Sequence, residues 1–80
     1  MKYLNKLTRV LVDFHPGEHP VPAFFLYEGH RFKVDRVISQ TQMRKTFDHC
    51  TMYRCEAANQ TVELRWDRDK DKWYIEKMGE

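Results

Sequence analysis

Apolar and polar residues alternate with a period of two through most of this chain, the spacing of strands that bury one face. Over residues 9–14, Val10, Val12 and Phe14 share a side, with Leu11 on the other between Arg9 and Asp13. Residues 15–22 hold three prolines and a glycine, which excludes regular structure and predicts a loop crossing between sheet edges or barrel ends. Residues 23–27, Ala-Phe-Phe-Leu-Tyr, are apolar on both faces, as in a central strand or barrel wall. Glu28-Gly29-His30 is a tight turn in which Gly29 can supply a positive φ. The strand returns over residues 31–38. Phe32 and Val34 keep phase, Arg36 falls where an apolar residue is due, and Val37 resumes one step late. That slip predicts a β-bulge near Asp35-Arg36.

Residues 39–48 are mostly polar and fit a mobile hairpin loop better than a short helical turn. Beyond them Thr51, Tyr53, Cys55 and Ala57 share one side of a strand, and Met52, Arg54 and Glu56 the other. Residues 58–60 form a turn. Residues 61–66 alternate most clearly, with Val62, Leu64 and Trp66 inward. A charged turn over 67–72 leads to a last strand with Trp73 and Ile75 inward. No segment of a dozen residues keeps helical spacing. The pattern predicts an all-β, mainly antiparallel fold: five or six strands in meander order, curled into a small SH3-like or partly open barrel.

Eighty residues enclose one core, so residues 1–80 are read as a single small β domain. With 41% hydrophobic and 14% aromatic residues, the chain has side chains enough to fill it. Charged residues reach 32%, yet the net charge is only +2. Residues 1–55 carry nine Lys/Arg against five Asp/Glu, and residues 56–80 five against seven. A dedicated duplex binder shows a stronger basic stripe than this. No apolar run reaches the roughly 20 residues that cross a bilayer, so no membrane association is expected. The first six residues lack a signal-peptide pattern, and a cytoplasmic location is the expectation. Cys50 and Cys55, five apart on one strand, point to opposite faces and cannot pair with each other.

The stretch from Phe25 to Ile38, an apolar strand, a Glu-Gly turn and Arg-Phe-Lys-Val, is followed by Glu63-Leu64-Arg65-Trp66-Asp67 and Lys72-Trp73-Tyr74-Ile75-Glu76. Together these hairpin motifs, about half the chain, resemble a group of short bacterial domains of unknown function. The resemblance implies a small β domain and carries no activity with it.

Chemistry is sparse. His15-x3-His19 and His49-Cys50 with Cys55 lack the two close ligand pairs of structural zinc, so no cofactor is expected. His49 and Cys50, as strand neighbours, should point apart and cannot form a base–nucleophile pair. Asp67-x-Asp69-x-Asp71 lacks the glycine and glutamate of a calcium loop. The expectation is a non-catalytic binding module for a protein partner or a second copy of itself. The alternative is single-stranded nucleic acid held on a sheet face, with aromatics stacking on bases and cations on phosphates. The candidate residues are Tyr27, Arg31, Lys33, Arg54, Arg65 and Tyr74. Against that alternative, glutamates alternate with the arginines, and cross-strand Glu–Arg pairs are an ordinary way to solvate a sheet.

Overall fold

A computed structural model describes residues 2–42 and 49–79. They form eight strands: Lys2–Thr8 (β1), Val10–Asp13 (β2), Val21–Tyr27 (β3), His30–Lys33 (β4), Arg36–Gln42 (β5), Cys50–Ala57 (β6), Gln60–Asp67 (β7) and Lys72–Gly79 (β8). The sheets are antiparallel, one in the order β1-β8-β7-β6-β5 and one in the order β2-β3-β4. About 73% of the described residues are strand and none is helix.

Two corners join the sheets. At the first, only Arg9 separates β1 from β2. Its carbonyl accepts the N–H of Leu26 at 3.1 Å, and the Thr8 hydroxyl donates to the Leu26 carbonyl, so the bend is bonded to β3. At the second, the N–H of Val34 donates to Ala23 in β3, and that of the next residue, Asp35, donates to Glu56 in β6, both at 2.8 Å. With each bent strand counted once, the described residues form a six-membered meander, where the alternation predicts five or six strands. The ladder breaks at both corners, and the sheets do not close into a barrel.

The corner explains the phase slip of residues 34–37. Instead of a bulge at Asp35-Arg36, the chain changes sheet at Val34–Asp35, and the register shift lies further on, between Val37 and Ser39. Three other expectations change. Val21 and Pro22, at the end of the proline-rich stretch, belong to β3 and pair with Asp13 and Val12 rather than lying in a loop. Residues 39–42 belong to β5 rather than to a loop, and the rest of the expected loop lies outside the described residues. The N-terminal segment, in which alternation predicts no strand, is β1 on the flank of β8. Its ladder shifts register between Tyr3 and Lys6, with Asn5 at φ 47°, and such an irregularity erases period two.

The interior collects Tyr53, Cys55 and Ala57 from β6, Val62 and Leu64 from β7, Trp73, Ile75 and Met78 from β8, and Phe25 from β3. Trp66 is half-buried and stacks on Trp73 with ring centroids 5.7 Å apart. Tyr53 lies 5.3 Å from Trp73, and Phe25 stacks on Phe32 at 5.4 Å. Such pairs contribute about 0.5–1.5 kcal/mol each beyond area burial. The Tyr53 hydroxyl donates to the Pro20 carbonyl at 2.7 Å. This bond ties the proline-rich loop to the large sheet, and burial pushes the phenol up to about 12. Cys55 faces inward and Cys50 outward, and both are free.

The β6–β7 hairpin turns on Ala58 (φ 51°) and Asn59 (φ 60°). Positive φ at both central positions marks a type I′ turn, for which Asn-Gly is the preferred pair. Alanine bears a left-handed strain there that asparagine tolerates better. The double substitution Ala58→Asn/Asn59→Gly is expected to stabilise the protein by about 1 kcal/mol. Thermal unfolding followed by circular dichroism should show Tm rising by roughly 4–8 °C.

Candidate functional site

Strand parity and register divide the six sequence-predicted residues among three surfaces. Arg31 and Lys33 lie on the outer face of the three-stranded sheet, opposite Leu26 and Phe24, and the Arg31 guanidinium stands 5.2 Å from the Phe24 ring centroid. Tyr27 points to the other face, packs against the core and lies beneath the Lys6 ammonium at 5.1 Å. Arg54, Arg65 and Tyr74 share the outer face of the five-stranded sheet. The six therefore do not form one patch.

On that large outer face the arginines are matched by glutamates one strand over. Arg36 Nε meets Glu56 at 2.9 Å, and Arg54 Nε approaches Glu63 at 3.9 Å. Arg65 is 8% exposed. It donates to Glu76 Oε2 at 3.0 Å and to Asn5 Oδ1 at 3.1 Å, and covers the Tyr74 ring at 4.4 Å. Arg65 is thus a structural cation fastening β1, β7 and β8 together. Its outward parity predicts an exposed group, and the bulge that brings Asn5 over it supplies the cover.

A different surface stands out. Leu7 (57% exposed), Leu11 (58%), Phe14 (73%) and Leu26 (39%) are four of the five large exposed hydrophobics among the described residues. All four line one groove of about 920 Å³ around the β1–β2 corner. Arg9, Arg31 and Lys72 set three cations at its rim against Asp71 alone. β2 is an edge of its sheet, and among the described residues no strand pairs with its outer side. The sequence carries part of this signal. Leu11 breaks the alternation of its strand, and residues 23–27 are apolar on both faces. Phe14, which alternation places inward with Val10 and Val12, lies past the end of β2 and is exposed.

The third feature lies where β6 begins and β7 ends. Cys50 and Asp67 are cross-strand partners, and the N–H of Arg68 donates to the His49 carbonyl at 3.0 Å. His49 is in a turn rather than on the strand, so the rule that neighbours point apart does not govern it. The ligand atoms of His49, Cys50 and Asp67 all lie within 4.8 Å of one another. Asp67 Oδ1 accepts the N–H groups of Asp69 and Lys70, each at 3.1 Å. Burial alone would raise this carboxyl, but those bonds and the His49 charge outweigh it and hold the group low. Burial, then the Asp67 charge, pushes the Cys50 thiol up. The charged turn is more ordered than composition suggests, since Asp71 Oδ1 also accepts the Trp66 indole N–H at 3.1 Å.

No protein-family model, curated protein or solved structure matches the chain.

Removing one member of the buried Arg65–Glu76 pair leaves the other charge uncompensated. Arg65→Ala and Glu76→Ala should each destabilise by about 3 kcal/mol. The double substitution Arg65→Ala/Glu76→Ala should cost much less than the sum of the two. Urea unfolding of the four proteins tests this, and additive losses would deny the coupling.

Proposed function

We propose that this domain is a non-catalytic module that binds a protein partner, taking an extended apolar segment with acidic side chains into the groove at the β1–β2 corner. The observation that carries this reading is the gathering of Leu7, Leu11, Phe14 and Leu26 into one concave surface. Scattered apolar residues on a surface mean nothing, whereas a grouped set rimmed by polar residues marks an interaction site. The outer side of β2 offers backbone groups to an added strand, whose alternate side chains would then enter the groove. The excess of cations at the rim selects acidic groups on the occupant.

Single-stranded nucleic acid fits less well. It needs cations and aromatics on one face, and the arginines of the large sheet are matched by glutamates. Arg31 and Lys33 beside Phe24 make a smaller basic patch that serves an acidic peptide equally. Both cysteines are free thiols, in keeping with a partner in the cytoplasm. Among the described residues no helix is long and apolar enough to cross a membrane.

Selection of a displayed random-peptide library on the immobilised protein should enrich peptides that alternate apolar residues with Asp or Glu. Leu11→Lys/Leu26→Lys alters exposed positions and should leave Tm nearly unchanged. Isothermal titration should show binding of a selected peptide weakened on the order of 100-fold. Equal affinity in the double variant would refute the groove. So would a selection that returns no peptide while a single-stranded oligonucleotide binds with steep salt dependence. Concentration-dependent dimerisation abolished by the same variant would replace the foreign partner with a second copy of the chain.

A further inference from the structure

We propose that His49, Cys50 and Asp67 bind a borderline-soft divalent cation of the zinc class. Imidazole nitrogen, thiolate sulfur and carboxylate oxygen together make the donor set zinc favours, and three protein ligands leave a fourth position for water or an incoming ligand. His49 Nε2 and Asp67 Oδ2 are 3.4 Å apart. Tetrahedral bonds of about 2.0–2.1 Å would place two such ligand atoms about 3.4 Å from each other. Cys50 Sγ lies within 4.8 Å of a ligand atom of each of the other two residues, so the three donors can close on one ion by side-chain rotation.

The backbone beneath is fixed. Cys50 and Asp67 face each other across one ladder rung, and the Arg68 N–H holds the His49 carbonyl one step beyond. The two turn N–H groups on Asp67 Oδ1 orient that carboxylate with Oδ2 toward His49. Such outer partners are what fixes a ligand's direction in metal sites. Two guanidiniums stand nearby. Arg68 Nη1 donates to Thr51 Oγ1 at 2.7 Å, and Arg65 is committed to Glu76 and Asn5, so both already have acceptors other than the proposed ligands. Catalysis by a Cys–His–Asp relay is a poorer account. A relay needs the imidazole between thiol and carboxylate, whereas here Asp67 sits directly across from Cys50.

Cobalt(II) is the probe, because a thiolate bound to it gives a charge-transfer absorption in the near ultraviolet. The folded protein should take up one equivalent with that band, and zinc should displace the cobalt. Cys50→Ser should abolish the band and Cys55→Ser should keep it. His49→Ala, at a side chain about one-third exposed, should fold normally and weaken zinc binding on the order of 100-fold. Absence of the band in the wild-type protein, its survival in Cys50→Ser, or unchanged zinc affinity in His49→Ala would overturn the assignment. If Cys50→Ser fails to fold by circular dichroism, the wild-type band and the His49→Ala affinity decide. Cobalt held only by the exposed His15 and His19 gives no charge-transfer band and counts against the site.

Discussion

The N–H groups of Val34 and Asp35 go to different sheets, and most of the architecture depends on that one-residue handover. With no helix among the described residues, the apolar face of the sheet is covered by more sheet. Here a strand leaves one ladder and enters another between consecutive residues. The three-stranded sheet can therefore supply Phe25 to the same interior as Leu64 and Ile75. The bend at Arg9 completes the arrangement, and its hydrogen bonds to Leu26 fix where β1 ends and β2 begins.

The two outer faces follow from this and differ in character. The large sheet is solvated by Arg–Glu pairs across adjacent strands, with Arg65 bonded to Asn5 and lying over the Tyr74 ring. The small sheet keeps Leu11, Phe24 and Leu26 on its outer side, with Arg31 and Lys33 beside them. Exposed pairs contribute little to stability individually, but they use up cations that a polyanion would need. The surface proposed above for a partner is the apolar, mildly basic corner instead.

Period two made the last three strands legible, because β6 to β8 bury one face each and their inward residues recur without interruption up to Ile75. It failed wherever the ladder is irregular. β1 was lost because its register shifts between Tyr3 and Lys6. The slip at Arg36 was visible, yet a sheet change and a bulge shift parity alike, and only the hydrogen bonds of Val34 and Asp35 tell them apart. The candidate residues fared similarly. Parity placed Arg54, Arg65 and Tyr74 on one face correctly, but parity does not report what covers a face. It misled at His49, where the residue before a strand is free of the strand's alternation. The groove needed tertiary information, since Leu7 lies before the alternating run and Phe14, though in phase with it, falls past the end of β2.

The two proposed sites meet in the turn between β7 and β8. Asp67 opens that turn and holds the N–H groups of Asp69 and Lys70, while Asp71 anchors it to the Trp66 indole. Asp71 and Lys72 form part of the groove wall. On the two proposals together, the turn that orients the carboxylate of one site also lines the other, and the bonds that order it, from the N–H groups of Asp69 and Lys70 to Asp67 and from the Trp66 indole to Asp71, hold both surfaces in place.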